Sequence, residues 1–576
     1  MATTKHPIGP FRKSVHPQEV NADQNHSAGK FTYNRYQVQP PFNPAPDLKH
    51  ETFELDGGKV IFEKDVAITM RDGVKLYADI YRPATSVAEK TPPLVFWSPF
   101  GKHGAVPRAL FKNMGVDFEK LSPYTFFELP DPFLWCSQYH YSFVRVDPRG
   151  TWWSEGTEAT FFSPQEGRDG YDVVEWAAQQ PWSTGNVGWG AVSYYAMSAY
   201  QTAVLKPPHL KALLLWEAMS DIYREVNNVG GIPSVPFQHM WMNLTGQGLG
   251  MSEDHAAVSL EHPLFDEFWQ SKVVHWTQIN IPALSVTGWS SSPTHLRGTI
   301  EAWKALSTKD KWLLVHAGRE WSEYYKDSGI EKQREFWDHF LKGKETSIRT
   351  WPTVQLDART SADVSVRRDW KKFPPPAKLS NFYLASDGKL STEPGNGQAE
   401  YTTFRAHDAN STLTFEYTFD KETEITGHAS LTLHVQCLEF PDVDLFVALQ
   451  KLGADGEEVK FWSSSQFVEA PAVLGWLRLS HRELDRQRST PERPYHTHQK
   501  RQWVRPCDIV EAQIELWPSS TVWQAGETIR IAINGRGFLN PENKTQVRTP
   551  VHGWGDVRVW FGGKYASQLL APVVEN

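Results

Sequence analysis

Cysteine is almost missing from this 576-residue chain. Cys136, Cys437 and Cys507 lie far apart, are odd in number and form no C-x-x-C pair. A disulfide framework and a thiolate zinc site are therefore not expected, and a reducing, cytoplasmic setting is. Long apolar runs are missing too. No stretch approaches the ~18 residues of a membrane-spanning helix, so no membrane partner is expected. The opening MATTKHPIGPFRKSVHPQEV has no apolar heart of a secretion signal. A basic excess is also lacking: 59 Lys and Arg against 67 Asp and Glu leave a net charge of −8, with no Lys/Arg run, which argues against a nucleic-acid partner. What the chain does have is ample core, 40% hydrophobic residues, and at about 150 residues per domain it is long enough for three or four domains. It also carries 25 Trp, 31 Phe and 19 Tyr, enough for a heavily aromatic core or large apolar clefts.

Residues 1–50 are polar and proline-bearing and read as an extended arm. Val60–Tyr81 alternates as two or three strands, with Asp72-Gly73 as a hairpin turn. Short apolar runs then recur at Leu94–Trp97, Ser142–Val146, Val187–Val192, Ala212–Trp216, Ala283–Thr287 and Trp312–His316. Helical spacing over Asp169–Gln180 and Ser193–Leu205 separates some of them. Strands alternating with helices imply a parallel sheet covered on both faces. Residues 221–277, rich in Trp, Phe, Met and His, break the rhythm and read as a helical cap inserted between two sheet strands. Past the amphipathic Gly329–Leu341, the run Pro374-Pro375-Pro376 marks a stiff linker. Beyond it come strand patterns only, such as ASLTLHVQC and IVEAQIELW, as in a β-sandwich, most simply a jelly roll. The fold class is thus α/β. The α/β domain occupies 51–220 and 278–372, the cap 221–277 and the jelly roll 373–576.

The sharpest chemical signal is NVGWGAVSYYAMSAY, residues 186–200. An apolar strand runs straight into a helix through Ser193, the layout of a nucleophile elbow. Ala191 and Ala196 supply the small neighbours such a turn needs, although the strict G-x-S-x-G pattern is absent. An ordinary helix-capping serine would look much the same.

The wider sequence resembles the cocaine-esterase-like (CocE/NonD) hydrolases, relatives of X-prolyl dipeptidyl acyl peptidases, over roughly residues 60–570. The likeness rests on MRDGVKLYADIYRP (70–83), SPFGK (98–102), VDPRGTWWSEG (146–156), DGYDVVEWAAQQPWSTGNVG (169–188), GWLRLSHRELD (475–485) and IELWPSSTVWQAGETIRI (514–531). It implies an α/β-hydrolase domain, a cap and a C-terminal jelly roll. It further implies Ser193 as nucleophile and the Tyr194 N–H as one oxyanion donor, with a histidine base and an orienting acid.

At three places the sequence departs from the family pattern. The second oxyanion donor, a tyrosine hydroxyl, aligns with Phe100, which has none and reads as an aromatic wall of the pocket. The acid position, in Gly288-Trp289-Ser290-Ser291, holds no carboxylate. The histidine position aligns with Glu320. His316, four residues earlier, and His295 are the other histidines near that edge of the sheet. A glutamate of ordinary pKa near 4.3 is a base about a hundredfold weaker than a histidine near 6.5. Burial beside Trp321 raises such a group towards neutrality, where it suits proton shuttling.

Three smaller features read as structural. Asp169, Asp172 and Glu175 fall at a helix start, where the helix dipole accounts for them better than a metal does. Arg149 reads as an internal partner. His496 and His498 form an H-x-H pair without further ligands.

The leading expectation is an acyl hydrolase with a degenerate triad, acting on an ester, lactone or amide of an apolar or aromatic small molecule. Ser193 and Tyr194 would serve with His295 or His316 as base, and Phe100, Trp289, Trp241 and Trp269 would contact substrate. No cofactor or metal is expected, and a homodimer is allowed. Two rivals stand: an isomerase, lyase or cyclase of small-molecule biosynthesis that uses Glu320 as acid/base, and a non-catalytic binding protein.

Overall fold

The computed structural model describes residues 9–14, 48–102, 112, 114–395, 397–408, 410–463, 468–538 and 552–575. Among the described residues the central sheet is built on β1 (Val60–Thr69), β2 (Lys75–Pro83), β3 (Pro93–Trp97), β4 (Ser142–Val146), β5 (Val187–Val192), β6 (Leu210–Trp216), β7 (Ala283–Gly288), β8 (Lys311–His316) and β9 (Val354–Arg359), with Glu51–Leu55 antiparallel beside β1 and Ser365–Trp370 antiparallel beside β9. Between these two edges the order across the sheet is β1-β2-β4-β3-β5-β6-β7-β8-β9. The first two junctions are antiparallel and all later ones parallel. Every residue of β3, β4, β5 and β7 is buried. This is why they read as unbroken apolar runs rather than alternating ones: a parallel strand is covered on both faces.

Helices α1 (Pro164–Ala178) and α2 (Tyr194–Ala203) flank β5. The first starts five residues before the stretch read as helical, because Ser163 caps it by accepting the Glu166 N–H and Pro164 sits at its first position. Asp169, Asp172 and Glu175 are therefore not first-turn acids, and the dipole explanation fails for them. Each instead has a basic partner: Arg149 at 2.7 Å, Arg71 at 2.6 Å and His209 at 2.7 Å.

Between β6 and β7 the chain leaves the sheet and builds a five-residue π-helix (Tyr223–Asn227), α3 (Val235–Thr245), α4 (His255–Glu261) and the short helix Glu267–Gln270. α5 (Leu296–Ala305) follows β7, and α6 (Asp327–Lys342) follows β8. The N-terminal arm, read as lacking strand character, does contribute a strand among its described residues. Phe11–Lys13 pairs antiparallel with Met251–Glu253, which in turn pairs parallel with Glu158–Ala159. Three residues are too few to show a period of two. Residues 15–47 of the arm lie outside the described residues.

From Ala377 onward the pairing is almost wholly antiparallel. Thr423–Cys437 pairs with Val510–Trp523 and Gln568–Val574, and Asp444–Leu452 pairs with Val473–Arg478 and Thr528–Asn534. These strands share an apolar core of their own. A separate cluster, in which Trp289, Ile300, Trp303, Trp476 and Trp517 are packed, joins the α/β and C-terminal parts.

One buried charge holds the loop after β3. Lys102 is 3% exposed, and three carboxylates surround its ammonium: Asp65, Asp79 at 3.8 Å and Asp147 at 3.6 Å. Burial opposes that charge, and the three aspartates outweigh it, holding the lysine above its ordinary pKa. Lys102→Met removes the cation the three aspartates share, leaving Lys64, 3.4 Å from Asp65, at the edge of the group. It is expected to cost about 3–5 kcal/mol, read as a lower urea midpoint.

A second buried group acts through pH. His481 and His498 face each other through their Nδ1 atoms at 3.1 Å, with the His496 ring 5.6 Å from that of His498. Burial lowers His481 to about 3 and His496 to about 4. The folded protein thus keeps both neutral, while the unfolded chain takes up protons below the ordinary histidine value of ~6.5. Stability should fall as pH drops from that value towards 4. His481→Leu should flatten this slope in thermal unfolding measured across that range.

Candidate active site

Ser193 stands where β5 ends and α2 begins, with φ 60° and ψ −122°. This left-handed backbone is unusual for a serine and marks a tight elbow. Its N–H donates to the Trp216 carbonyl at 2.9 Å, and its own carbonyl accepts from the N–H groups of Ala196 and Met197 at 2.9 and 3.0 Å. The strand below is equally cramped: a Cβ at Gly190, where φ is +138°, would lie 1.9 Å from the Leu214 carbonyl oxygen. Only glycine fits there. Tyr194 opens α2, so its N–H has no acceptor within the helix. Its hydroxyl points elsewhere, donating to Glu166 at 2.8 Å. Burial pushes Glu166 up to about 7, against the hydrogen bonds from Trp97 and Tyr194.

The loop after β7 delivers His295 to this elbow. Its N–H bonds the Ser291 carbonyl at 3.0 Å, and its ring places Nε2 3.1 Å from Ser193 Oγ. The other ring nitrogen, Nδ1, lies 3.2 Å from Oε1 of Glu320, which comes from the loop after β8. That contact is off the N–H axis, an electrostatic pairing rather than a well-aligned hydrogen bond. A carboxylate only accepts, so the arrangement keeps the proton on Nδ1 and turns the Nε2 lone pair towards the serine hydroxyl. Serine, histidine and carboxylate are thus in line, although the acid loop carries the histidine and the histidine loop carries the acid.

His316, the other candidate base, sits away from this line. It closes β8, with Nε2 3.7 Å from Glu217 and its ring against Trp216. Burial lowers it to about 4, so it is neutral. Glu217 accepts from Gly288 N–H at 2.7 Å and Thr287 Oγ1 at 2.6 Å. Burial first, and then the charge of Glu320, raise Glu217 well above the carboxylate range.

Above Ser193, His295 and Glu320 opens a largely apolar cleft of about 120 Å³. Phe100, Phe127, Phe162, Trp241 and Trp321 are among its walls. Phe100 meets Phe127 edge-on at 4.9 Å and offers no hydrogen-bond donor. Two residues expected to touch substrate do not line the cleft. Trp269 is fully buried in the insert, its ring on Tyr223 and Phe268 and its N–H bonded to the His262 carbonyl at 2.8 Å. Trp289 belongs to the aromatic joint with the C-terminal part and donates to the Asp357 carbonyl at 2.7 Å. Both are large apolar rings on chain near the site, but their N–H groups find backbone partners on the side away from it.

Some cleft residues carried no signal in the sequence. Glu128 lines it, 2% exposed at φ 61°, and accepts from Trp321 Nε1 at 3.1 Å. Burial and the nearby Glu320 hold its carboxyl well above the usual range. Gln238 and His255 line it from the insert. Among the described residues no group of three or more His, Cys, Asp or Glu is placed to hold a metal ion, the region of His496 and His498 included. No described helix is long and apolar enough to cross a membrane.

Sheet order, elbow and the serine–histidine–carboxylate line define an enzyme of the α/β-hydrolase kind. Residues 72–259 match the X-Pro dipeptidyl-peptidase (S15 family), and residues 347–570 match the X-Pro dipeptidyl-peptidase C-terminal non-catalytic domain. A crystal structure of a CocE/NonD family hydrolase from Staphylococcus aureus is 34% identical, with a TM-score of 0.85 over 95% of this chain and 99% of that one. The chain belongs to the CocE/NonD hydrolase family. It is 26% identical to the cocaine esterase of a Rhodococcus species over 59% of its own length and 65% of the esterase, just under two thirds of that relative. An α-amino acid ester hydrolase shares the fold at 18% identity, with a TM-score of 0.69 over 93% of this chain and the whole of that one.

Two residues on from His295, in the first turn of α5, stands Arg297. This 3%-exposed guanidinium bonds Glu225 at 3.1 Å and Glu515 at 2.9 Å. Arg297→Met leaves two buried carboxylates without their cation. It should lower stability by about 3–5 kcal/mol and slow fluorophosphonate labelling of Ser193 well below the unfolding temperature. A labelling rate equal to wild type would mean that other contacts hold the loop.

Proposed function

We propose that this protein is a serine acyl hydrolase for an ester, lactone or amide of an apolar small molecule. In this reading Ser193 is the nucleophile, His295 the general base and Glu320 the acid that orients it. The observation that carries it is the pair of contacts on one imidazole, 3.1 Å to Ser193 Oγ and 3.2 Å to Glu320. His295 takes the serine proton as Oγ attacks the acyl carbonyl, and later returns it to the leaving group. Glu320 stabilises the imidazolium that forms between the two steps. The Tyr194 N–H receives the developing oxyanion. With phenylalanine at position 100, one customary donor is gone, which costs about 2.7–4 kcal/mol of transition-state stabilisation unless another group serves. The aromatic and methionine walls of the cleft fit an apolar acyl or alcohol part. Residues 221–277 act in this proposal as the cap over the cleft, and the C-terminal part is a jelly roll that backs the His295 helix.

The rival in which Glu320 itself exchanges protons with substrate is weakened by its engagement with His295. The buried Glu128 carboxyl in the cleft, held above its usual range by burial and by Glu320, is the feature that favours a non-hydrolytic reaction.

A fluorophosphonate probe separates the two. Wild type should label at Ser193, Ser193→Ala should not label, and Glu320→Gln should turn over activated apolar esters roughly three to four orders of magnitude more slowly than wild type. Wild-type protein that neither labels nor hydrolyses such esters overturns the hydrolase assignment.

A further inference from the structure

Opposite the serine, the insert carries a second histidine–carboxylate pair facing the same cleft. His255 opens α4 and is 1% exposed, with its ring packed on Trp241 at 5.1 Å and Phe161 at 5.6 Å. Its Nε2 lies 2.9 Å from Oε1 of Glu253, off the N–H axis, an electrostatic pairing rather than an aligned hydrogen bond. Glu253 is 2% exposed and is gripped through both oxygens, at 2.9 and 2.8 Å, by Lys272, which also donates to the Phe161 carbonyl at 2.8 Å. Burial opposes the Glu253 charge, but Lys272 foremost outweighs it and holds the carboxyl below its usual range. The lysine–glutamate pair is therefore closed in charge and needs no second cation.

This fixes what His255 can offer. Two acceptors 2.9 Å apart repel, so the proton between His255 and Glu253 sits on Nε2. In the neutral ring Nδ1 is then an acceptor. Beside it Gln238, 2% exposed, also lines the cleft, and its Nε2 has no partner among the described residues. A buried amide without a partner is costly, and so is an unused imidazole acceptor. Neither belongs to the serine, histidine and glutamate of the reaction.

We propose that His255, held by Glu253 and Lys272, is a specificity-determining residue that accepts a hydrogen bond from a hydroxyl or N–H group of the substrate, remote from the scissile carbonyl, with Gln238 as a second polar contact. The substrate class is thus an apolar, aromatic-sized ester or amide bearing a hydroxyl or N–H on its far end. The inference uses the cleft of the proposed hydrolase site but does not need turnover. A site built to hydrogen-bond such a group discriminates against the analogue that lacks it, because its own polar atom is otherwise left unpaired.

The test is binding to Ser193→Ala protein, followed by tryptophan fluorescence at about pH 8, above the ordinary histidine range. The probes are ethyl hydrocinnamate and its ring-hydroxylated and ring-methoxylated analogues, each substituent placed ortho, meta or para. At least one hydroxyl position should bind about tenfold more tightly than the parent, the value of one net hydrogen bond. The matching methoxyl ester, which cannot donate, should gain nothing. Adding His255→Phe should erase the hydroxyl gain, read as the ratio of hydroxylated to parent ester binding within that same variant. If no hydroxyl position gains, if the methoxyl gains equally, or if the gain survives in a folded His255→Phe protein, the proposal is wrong. Should that variant fail to fold, the hydroxyl and methoxyl arms decide it on Ser193→Ala alone. Because no bond is cleaved, this outcome is independent of whether Ser193 proves to be a nucleophile.

Discussion

The buried guanidinium of Arg297 is the constraint on which the arrangement of the site depends. It touches Glu225 on the π-helix of the insert and Glu515 on a C-terminal strand, and it stands two residues from His295. Three separate stretches of chain meet at one charge. The approach is close: a Cβ at Gly298, the next residue, would lie 2.2 Å from Glu225 Oε2 and 2.5 Å from the backbone nitrogen of Ser220. Glu515 is shared further, with His428 at 3.3 Å, and burial of that carboxyl is outweighed by Arg297, so it is held down to about 2. An ion cluster of this kind adds little net stability over an apolar one but tolerates few alternative geometries. Here the cluster stands two residues from the imidazole whose Nε2 lies 3.1 Å from Ser193 Oγ.

The sheet was largely legible from the chain alone, because its strands are buried on both faces and appear as short apolar runs between helices. Leu94–Trp97 and Ser142–Val146 are read almost to the residue. Helix ends were less so. The capping Ser163 and Pro164 lie outside the amphipathic stretch, and α1 was read too short in consequence. The elbow at Ser193 was visible as an apolar strand running into a helix with small neighbours. What the sequence left open was which histidine serves it. His316 closes a strand and His295 stands in the loop after one, just ahead of a helix, and their side chains go different ways: His316 turns to Glu217, His295 to Ser193. Direction is a property of the folded loop and leaves no periodic trace.

Glu320 illustrates the same limit. Aligned on the family, it stands in the position of the base, which made the site look degraded. In space it lies on the far nitrogen of a histidine contributed by the neighbouring loop. Two adjacent strand ends supply two functional groups, and the groups are exchanged between them while the line from serine to carboxylate is kept. Glu320 also stands near Glu128 and Glu217, and its charge helps burial raise both of them.

The short ladder formed by Phe11–Lys13, Met251–Glu253 and Glu158–Ala159 has a practical side. Its middle strand ends at Glu253, beside His255, and one of its outer strands, Phe11–Lys13, comes from the N-terminal arm. Main-chain hydrogen bonds therefore connect Phe11–Lys13 to the carboxylate next to a cleft residue through a single intervening strand. Three residues far from the serine in sequence are thus only two strands' width from the surroundings of the cleft, so a substitution in them is not a remote one.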